Sequence, residues 1–168
     1  MTVMNAIHFR RATETDYPAI CTLVRNEAEL FLVWPNGRYP LTVAQLQSLS
    51  ETRQALTVAV IDGRIVGFAN YYDYQAGEKA FIGNVVIATD RRGQGLGRAL
   101  VEHMLAQGFG EHALRELRIS VFNQNAPALL LYAGLGFMPY GIEKRKNPAG
   151  KSVALIHMKL TKIKIPSR

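Results

Sequence analysis

Apolar residues along this chain recur in two rhythms, alternate positions and helical spacing, and the switches between them predict its elements. Ile7 to Arg11 is a short first strand. Thr15 then offers an N-cap, Pro18 suits a first helical turn, and Ile20, Leu23, Val24 and Glu27 follow at helical spacing. Residues 33–41 (VWPNGRYPL) hold two prolines and a glycine, so that helix must stop and a loop must follow. Thr42 to about Arg53 is a second short helix. Leu56–Ile61 and Arg64–Tyr74 are strands joined by Asp62-Gly63, a tight-turn dipeptide that predicts antiparallel pairing. Ala80–Ala88 (AFIGNVVIA) is apolar enough to lie centrally in a sheet. Leu96, Leu100, Val101, Met104 and Leu105 mark a helix with one buried stripe. Glu116–Val121 returns as a strand, and Ala126–Leu135 is a helix with Asn125 as its cap. Phe137–Arg145 and Lys151–Leu160 form a last hairpin around Asn147-Pro148-Ala149-Gly150. This order implies a mixed α/β sandwich built on one central sheet.

Composition narrows the class. The chain has 168 residues, 48% hydrophobic and 20% charged, which excludes disorder and collagen-like repeats. No stretch approaches the ~18 apolar residues of a membrane span, and Met1–Arg11 lacks the apolar core of a secretory signal. A single cysteine, Cys21, excludes an intrachain disulfide and is most simply a small core residue. The four histidines form neither an H-E-x-x-H motif nor a close pair, so no metal is expected. The expectation is a soluble, cytoplasmic, single domain spanning 1–168, with its core at about 6–160 and a basic tail at 161–168. The net charge of +7 is uneven: residues 1–137 balance, whereas 138–168 carry eight bases against Glu143 alone. That block attracts an anionic partner or merely solvates a hairpin and tail.

The segment with chemistry is Val85–Leu100, VVIATDRRGQGLGRAL. A buried strand runs into a basic, glycine-rich turn that opens onto an amphipathic helix. Gly93, Gly95 and Gly97 let a ligand approach the backbone, and the helix N-terminus favours an anion such as a pyrophosphate. Arg91, Arg92 and Arg98 add charge. No G-x-x-x-x-G-K-[ST] run exists, and after Gly93-Gln94-Gly95 the sixth position is Arg98. Neither a P-loop nor a dinucleotide fingerprint therefore fits. The alternative is a glycine-rich loop that only turns the chain.

Arg92-Gly93-Gln94-Gly95-Leu96-Gly97 resembles the [RQ]-x-x-G-x-[GA] signature of the GNAT superfamily of acyl-CoA-dependent N-acetyltransferases. Asn125 to Phe137 (NAPALLLYAGLGF) is similar to that family's N-x-x-A-x-x-L-Y-x-x-x-G-F segment, and Ile7–Ile20 to its opening strand and helix. The resemblance covers roughly residues 6–160. It implies a mixed, mostly antiparallel central sheet of about seven strands with helices on both faces. It also implies acetyl-CoA as cosubstrate, no metal, and attack of a primary amine through a tetrahedral intermediate. Val85 and Ile87 would offer main-chain groups to the pantetheine arm, and Arg92, Gly93, Gln94, Gly95, Leu96, Gly97 and Arg98 would hold the pyrophosphate. Asn125 matches a cofactor contact, although a helix cap explains it equally well. Tyr132 matches the proton donor to the departing thiolate, its alternative role being ring packing.

The family often places a carboxylate base on its fourth strand, where this chain has Asn84, an amide that orients water but accepts no proton. Glu27, Glu29 and Asp73 are the candidate bases, beside a water relay. The resemblance puts the acceptor pocket among the first helix, its loop, the fourth strand and the last hairpin. Glu27, Phe31, Trp34 and Tyr39 would line it, with Tyr71, Tyr72 and Tyr74 across the sheet. The acceptor is expected to be an amine of a small molecule or peptide. A protein N-terminus or lysine, a non-catalytic acyl-CoA module and an RNA-associated module are the alternatives. Nucleic acid is disfavoured as a partner, no membrane is expected, and a homodimer is left open.

Overall fold

Strand side chains alternate between two layers, and β3 (Arg64–Gln75) shows both: Val66 and Phe68 enter one apolar cluster, Ala69 and Tyr71 the other. The computed structural model describes residues 5–163. The basic residues Lys164 and Arg168 and the start of the chain at Met1 lie outside the described residues. Seven strands form one sheet in the order β1-β2-β3-β4-β5-β7-β6. They are β1 (His8–Arg11), β2 (Gln54–Ile61), β3, β4 (Lys79–Ile87), β5 (Glu116–Phe122), β6 (Met138–Lys146) and β7 (Ser152–Thr161). All neighbours are antiparallel except β4 and β5. That parallel pair is joined by α4 (Leu96–Phe109), the crossover such a pair requires.

The first helix differs from expectation. It is two short helices, α1 (Tyr17–Cys21) and α2 (Glu27–Val33), followed by α3 (Val43–Ser50). The chain enters through a 3-10 turn at Glu14–Asp16 that follows Thr13, not Thr15. The break has a local cause. The Thr22 hydroxyl bonds back to the Ala19 carbonyl at 2.6 Å, and the extended Asn26 accepts the Glu29 N–H at 2.8 Å, starting a new helix. α1, α2 and α3 cover one sheet face; α4 and α5 (Ala126–Gly134) contribute to the core of the other.

β4 and β5 pair only from Lys79↔Glu116 to Ile82↔Ile119 and then diverge. A bulge sharpens the divergence. Gly83 faces Asn70 and Val86 faces Phe68, so Asn84 and Val85 share one position opposite Ala69. Asn84 adopts φ +52° there, a conformation asparagine tolerates better than most residues. Its amide is braced on both sides, accepting from Asn70 Nδ2 and donating to the Val33 carbonyl, each at 2.9 Å. Gly83 is obligatory for a different reason: a Cβ would lie 2.6 Å from the Tyr72 ring. No described helix is long and apolar enough to cross a membrane.

Candidate functional site

The glycine turn leads directly into α4, whose first intrahelical acceptor is Gly95 O, bonded by Ala99 N–H at 3.1 Å. The N–H groups of Leu96, Gly97 and Arg98 therefore have no carbonyl behind them within the helix. Gly93 and Gly95 hold φ +74° and +81°, and a Cβ at either would meet nothing within 4 Å. The loop is thus left-handed and open on its outer side. Alongside it runs a cavity of about 470 Å³ between β4, α4 and α5, walled by Val85, Ile87, Leu131 and Pro127. Length, apolar walls and a positive end suit a long ligand with an anionic terminus.

Several predicted contacts take a different form. The Arg92 side chain is tied back, donating to the Ile87 carbonyl at 3.1 Å and to Glu29 at 3.2 Å, so its contribution to an anion is main-chain. The same bond occupies the Ile87 carbonyl, leaving Val85 as the freer main-chain partner. Arg98 pairs with Glu102 at 3.0 Å while still lining the cavity, as does Arg91. Gln94 is exposed and lies outside the lining. Asn125 precedes α5 without making a side-chain cap, which frees its amide at the cavity wall.

A second cavity, about 180 Å³, occupies the gap where β4 and β5 part. Val85, Asn125 and Tyr132 line both cavities, so the two meet at the Tyr132 ring. Tyr132 is 6% exposed, and its ring meets Phe137 edge-on with centroids 6.1 Å apart. Burial pushes its phenol well above the ordinary tyrosine value, so the hydroxyl keeps its proton.

Of the predicted acceptor residues, Trp34 lines this second cavity, and so does Asn84, though its amide is already braced. Phe31 instead stacks on Phe122, centroids 4.4 Å apart. Phe31 and the exposed Glu27 face a separate hollow under the tip of the β6–β7 hairpin. Tyr39 turns away to donate to the Arg25 carbonyl at 2.6 Å. The tyrosines of β3 divide between the faces, and the register shift between Tyr72 and Gln75 puts Tyr74 on the same side as Tyr71. Tyr71 is buried with its hydroxyl on the Met104 carbonyl, Tyr74 bonds His112 at 2.9 Å, and Tyr72 alone reaches the cavity. Among the candidate bases, Glu29 is held by Arg92 at the first cavity, and Asp73 is exposed outside both. Among the described residues no aspartate or glutamate lines the second cavity.

Four residues here were not singled out in the sequence: Ser120, His157, Arg53 and Arg145. Ser120 and His157 sit opposite each other in the β5–β7 register, and Ser120 Oγ lies 2.8 Å from His157 Nδ1. His157 Nε2 is 3.2 Å from Glu143 on β6. Glu143 is held below the usual glutamate range by Arg145 and His157, so it is an ionised acceptor. That places the ring proton on Nε2 and leaves Nδ1 to accept from Ser120, which lines the cavity. Arg145, one of the eight C-terminal bases, lines the same cavity while staying part-exposed to solvent. Among the described residues no group of three or more His, Cys, Asp or Glu is placed to hold a metal ion.

The model of the acetyltransferase (GNAT) family matches residues 17–137, a span that includes the glycine turn, the diverging strands and Tyr132. The chain belongs to this family. Among curated relatives of this GNAT protein, the Streptomyces lavendulae streptothricin acetyltransferase is 33% identical over 82 residues, covering 49% of this chain and 43% of the relative. The Escherichia coli K12 [ribosomal protein bS18]-alanine N-acetyltransferase is 33% identical over 81 residues, 47% and 54% of the two chains. The chain thus spans about half the length of the curated relatives it matches. A Salmonella typhimurium chain described as an acetyltransferase, solved with its cofactor acetyl-CoA, shares the fold. Its TM-score is 0.79 at 19% identity, over 97% of this chain and 98% of that one.

Proposed function

We propose that this GNAT protein transfers the acetyl group of acetyl-CoA to the amine of a small molecule or peptide. The observation that carries this reading is the meeting of the two cavities at Tyr132. One cavity is long, apolar-walled and capped by free N–H groups; the other is short and polar. Acetyl-CoA, the cofactor in the Salmonella structure, supplies an acetyl thioester whose attack by an amine proceeds through a tetrahedral intermediate.

The chain's own residues divide the remaining work. The main chain of Gly93–Arg98 receives the pyrophosphate, with the α4 dipole behind it. The Val85 main chain at the bulge faces the junction, where an N–H can hold developing oxyanion charge. Tyr132 donates a proton to the departing sulfur. A thiol's reference pKa is ~8.5 and a phenol's ~10, a deficit of about 2 kcal/mol, and the burial that raises the phenol also raises the demand of a thiolate beside it. The amine's proton leaves in the other direction: Ser120 Oγ takes it and passes its own to His157 Nδ1, and Glu143 steadies the imidazolium.

The test is thiol release from acetyl-CoA by the purified chain across a panel of amines, with calorimetry for cofactor binding. The expected result is acceptor-dependent release and acetyl-CoA binding that Gly95→Val abolishes, since a branched side chain strains φ +81° and fills the space over the loop. Absence of both binding and release would overturn the reading.

A further inference from the structure

Among the described residues, one guanidinium lining the second cavity forms neither a side-chain hydrogen bond nor an ion pair within the protein. Arg53 immediately precedes β2 and lies half-buried with its guanidinium 4.4 Å above the Tyr72 ring. Stacking occupies the face of that group, whereas its N–H donors project from the edge. Nη1 is packed away from solvent beside Gly83 and has no hydrogen-bond partner, while Arg53 as a residue lines the cavity. Burial also pulls the guanidinium below the ordinary arginine value, against the smaller opposing pull of Tyr72 and Asp73. Arg145 Nε likewise lacks a hydrogen-bond partner, but Glu143 lies 2.8 Å away in a part-exposed ion pair, so Arg145 differs in having its charge paired. Among the described residues Arg53 forms no such ion pair.

An unpartnered buried donor is costly to keep, and a charged one more so. A site that retains it, with no carboxylate in its lining, is built for a ligand that brings the missing charge. We infer that the acceptor is an amine that also carries an oxyanion, a carboxylate in its simplest form. Arg53 receives that oxyanion while the amine faces Tyr132 at the other end of the cavity. A simple alkylamine or a neutral amide leaves the Arg53 guanidinium without a counter-charge and is discriminated against. The acceptor class is therefore that of free amino acids and related amino-oxyanions, rather than a peptide N-terminus, whose first carbonyl is an amide. This rests on the acetyl-transfer reading above.

The experiment compares each free amino acid with its own carboxamide as acceptor, at saturating acetyl-CoA, in the wild-type chain and in Arg53→Gln and Arg53→Lys. A hydrogen bond to a charged partner is worth ~1.5–3 kcal/mol, so the best amino acid should exceed its carboxamide by roughly 10- to 100-fold in kcat/KM. Arg53→Gln should bring that ratio close to one, chiefly through KM of the acid, and Arg53→Lys should restore part of it. Acetyl-CoA affinity by calorimetry should be the same in all three. Three results overturn the inference: carboxamides or peptide N-termini acetylated as well as acids, no acid acetylated at all, or Arg53→Gln lowering acid and amide equally. Intact acetyl-CoA binding in any of these leaves the acetyl-transfer reading standing. Loss of acetyl-CoA binding by the wild-type chain removes both.

Discussion

At the scale of single residues, Tyr132 and Ser120 line one cavity, and the proposed mechanism has them handle protons in opposite directions. Tyr132→Phe keeps the ring and its contact with Phe137 but removes the donor. Its expected signature is kcat lower by roughly 10²–10⁴ with acetyl-CoA affinity unchanged, read by steady-state kinetics and calorimetry. Wild-type turnover in that variant would assign the proton to water, and lost cofactor binding would assign Tyr132 to packing. His157→Gln should also lower kcat with acetyl-CoA binding intact, because it breaks the relay from Ser120 without touching the first cavity. The placing of Tyr132 and the glycine loop beside the cavities was legible in the sequence because each lies in a short contiguous motif. Arg53, Ser120, His157 and Glu143 were not. They are scattered across three strands and the turn before β2: Arg53 and Ser120 line the cavity, and only pairings such as Ser120↔His157 set His157 and Glu143 behind it. The expected acids failed to gather for the same reason, since helix position alone does not say which hollow Glu27 or Glu29 faces.

At the scale of elements, the bulge in β4 decides where the sheet opens. Asn84 holds it by conformation and by two hydrogen bonds, and substitutions separate these contributions. Asn84→Gly keeps access to φ +52° and loses the bonds to Asn70 and Val33, a cost of about 1–3 kcal/mol. Asn84→Ala loses the same bonds and adds left-handed strain of about 1–2 kcal/mol. Denaturant unfolding should therefore rank wild type above Gly and Gly above Ala; an alanine variant as stable as the glycine one would refute the strain. Most elements were readable from periodicity, including the Asp62-Gly63 hairpin and the central position of β4. The single first helix was not, because Thr22 and Asn26 use their side chains to end one helix and begin another inside an unbroken apolar rhythm. The bulge left no sequence signal beyond a Gly-Asn pair within an otherwise apolar strand.

At the scale of the whole molecule, acid stability follows from the join between β1 and the first turn. Arg10 grips Asp16 through two hydrogen bonds of 2.7 and 2.9 Å, and the carboxyl falls from its ordinary 3.8 to about 2. A lowered carboxyl pKa stabilises the fold at pH above the ordinary value, and the benefit is lost as pH falls from about 4 through about 2. Discounted for the 41% exposure of the Arg10 side chain, it is worth about 1–2 kcal/mol. Thermal melts should show Tm dropping across that window, and Asp16→Asn should start lower at neutral pH and drop less. An Asp16→Asn chain with the wild-type acid profile would remove the pair from the account. The parting of β4 and β5 has a consequence of another kind. Exposed sheet edges invite any passing strand, and proteins ordinarily blunt or cover them. Here two such edges lie inside the fold, roofed by α2 and α5, in a slot that opens only partway along the sheet. The sheet thereby advertises for a strand while admitting only a thin, extended guest, and the hazard of unpaired backbone becomes a filter on what can enter.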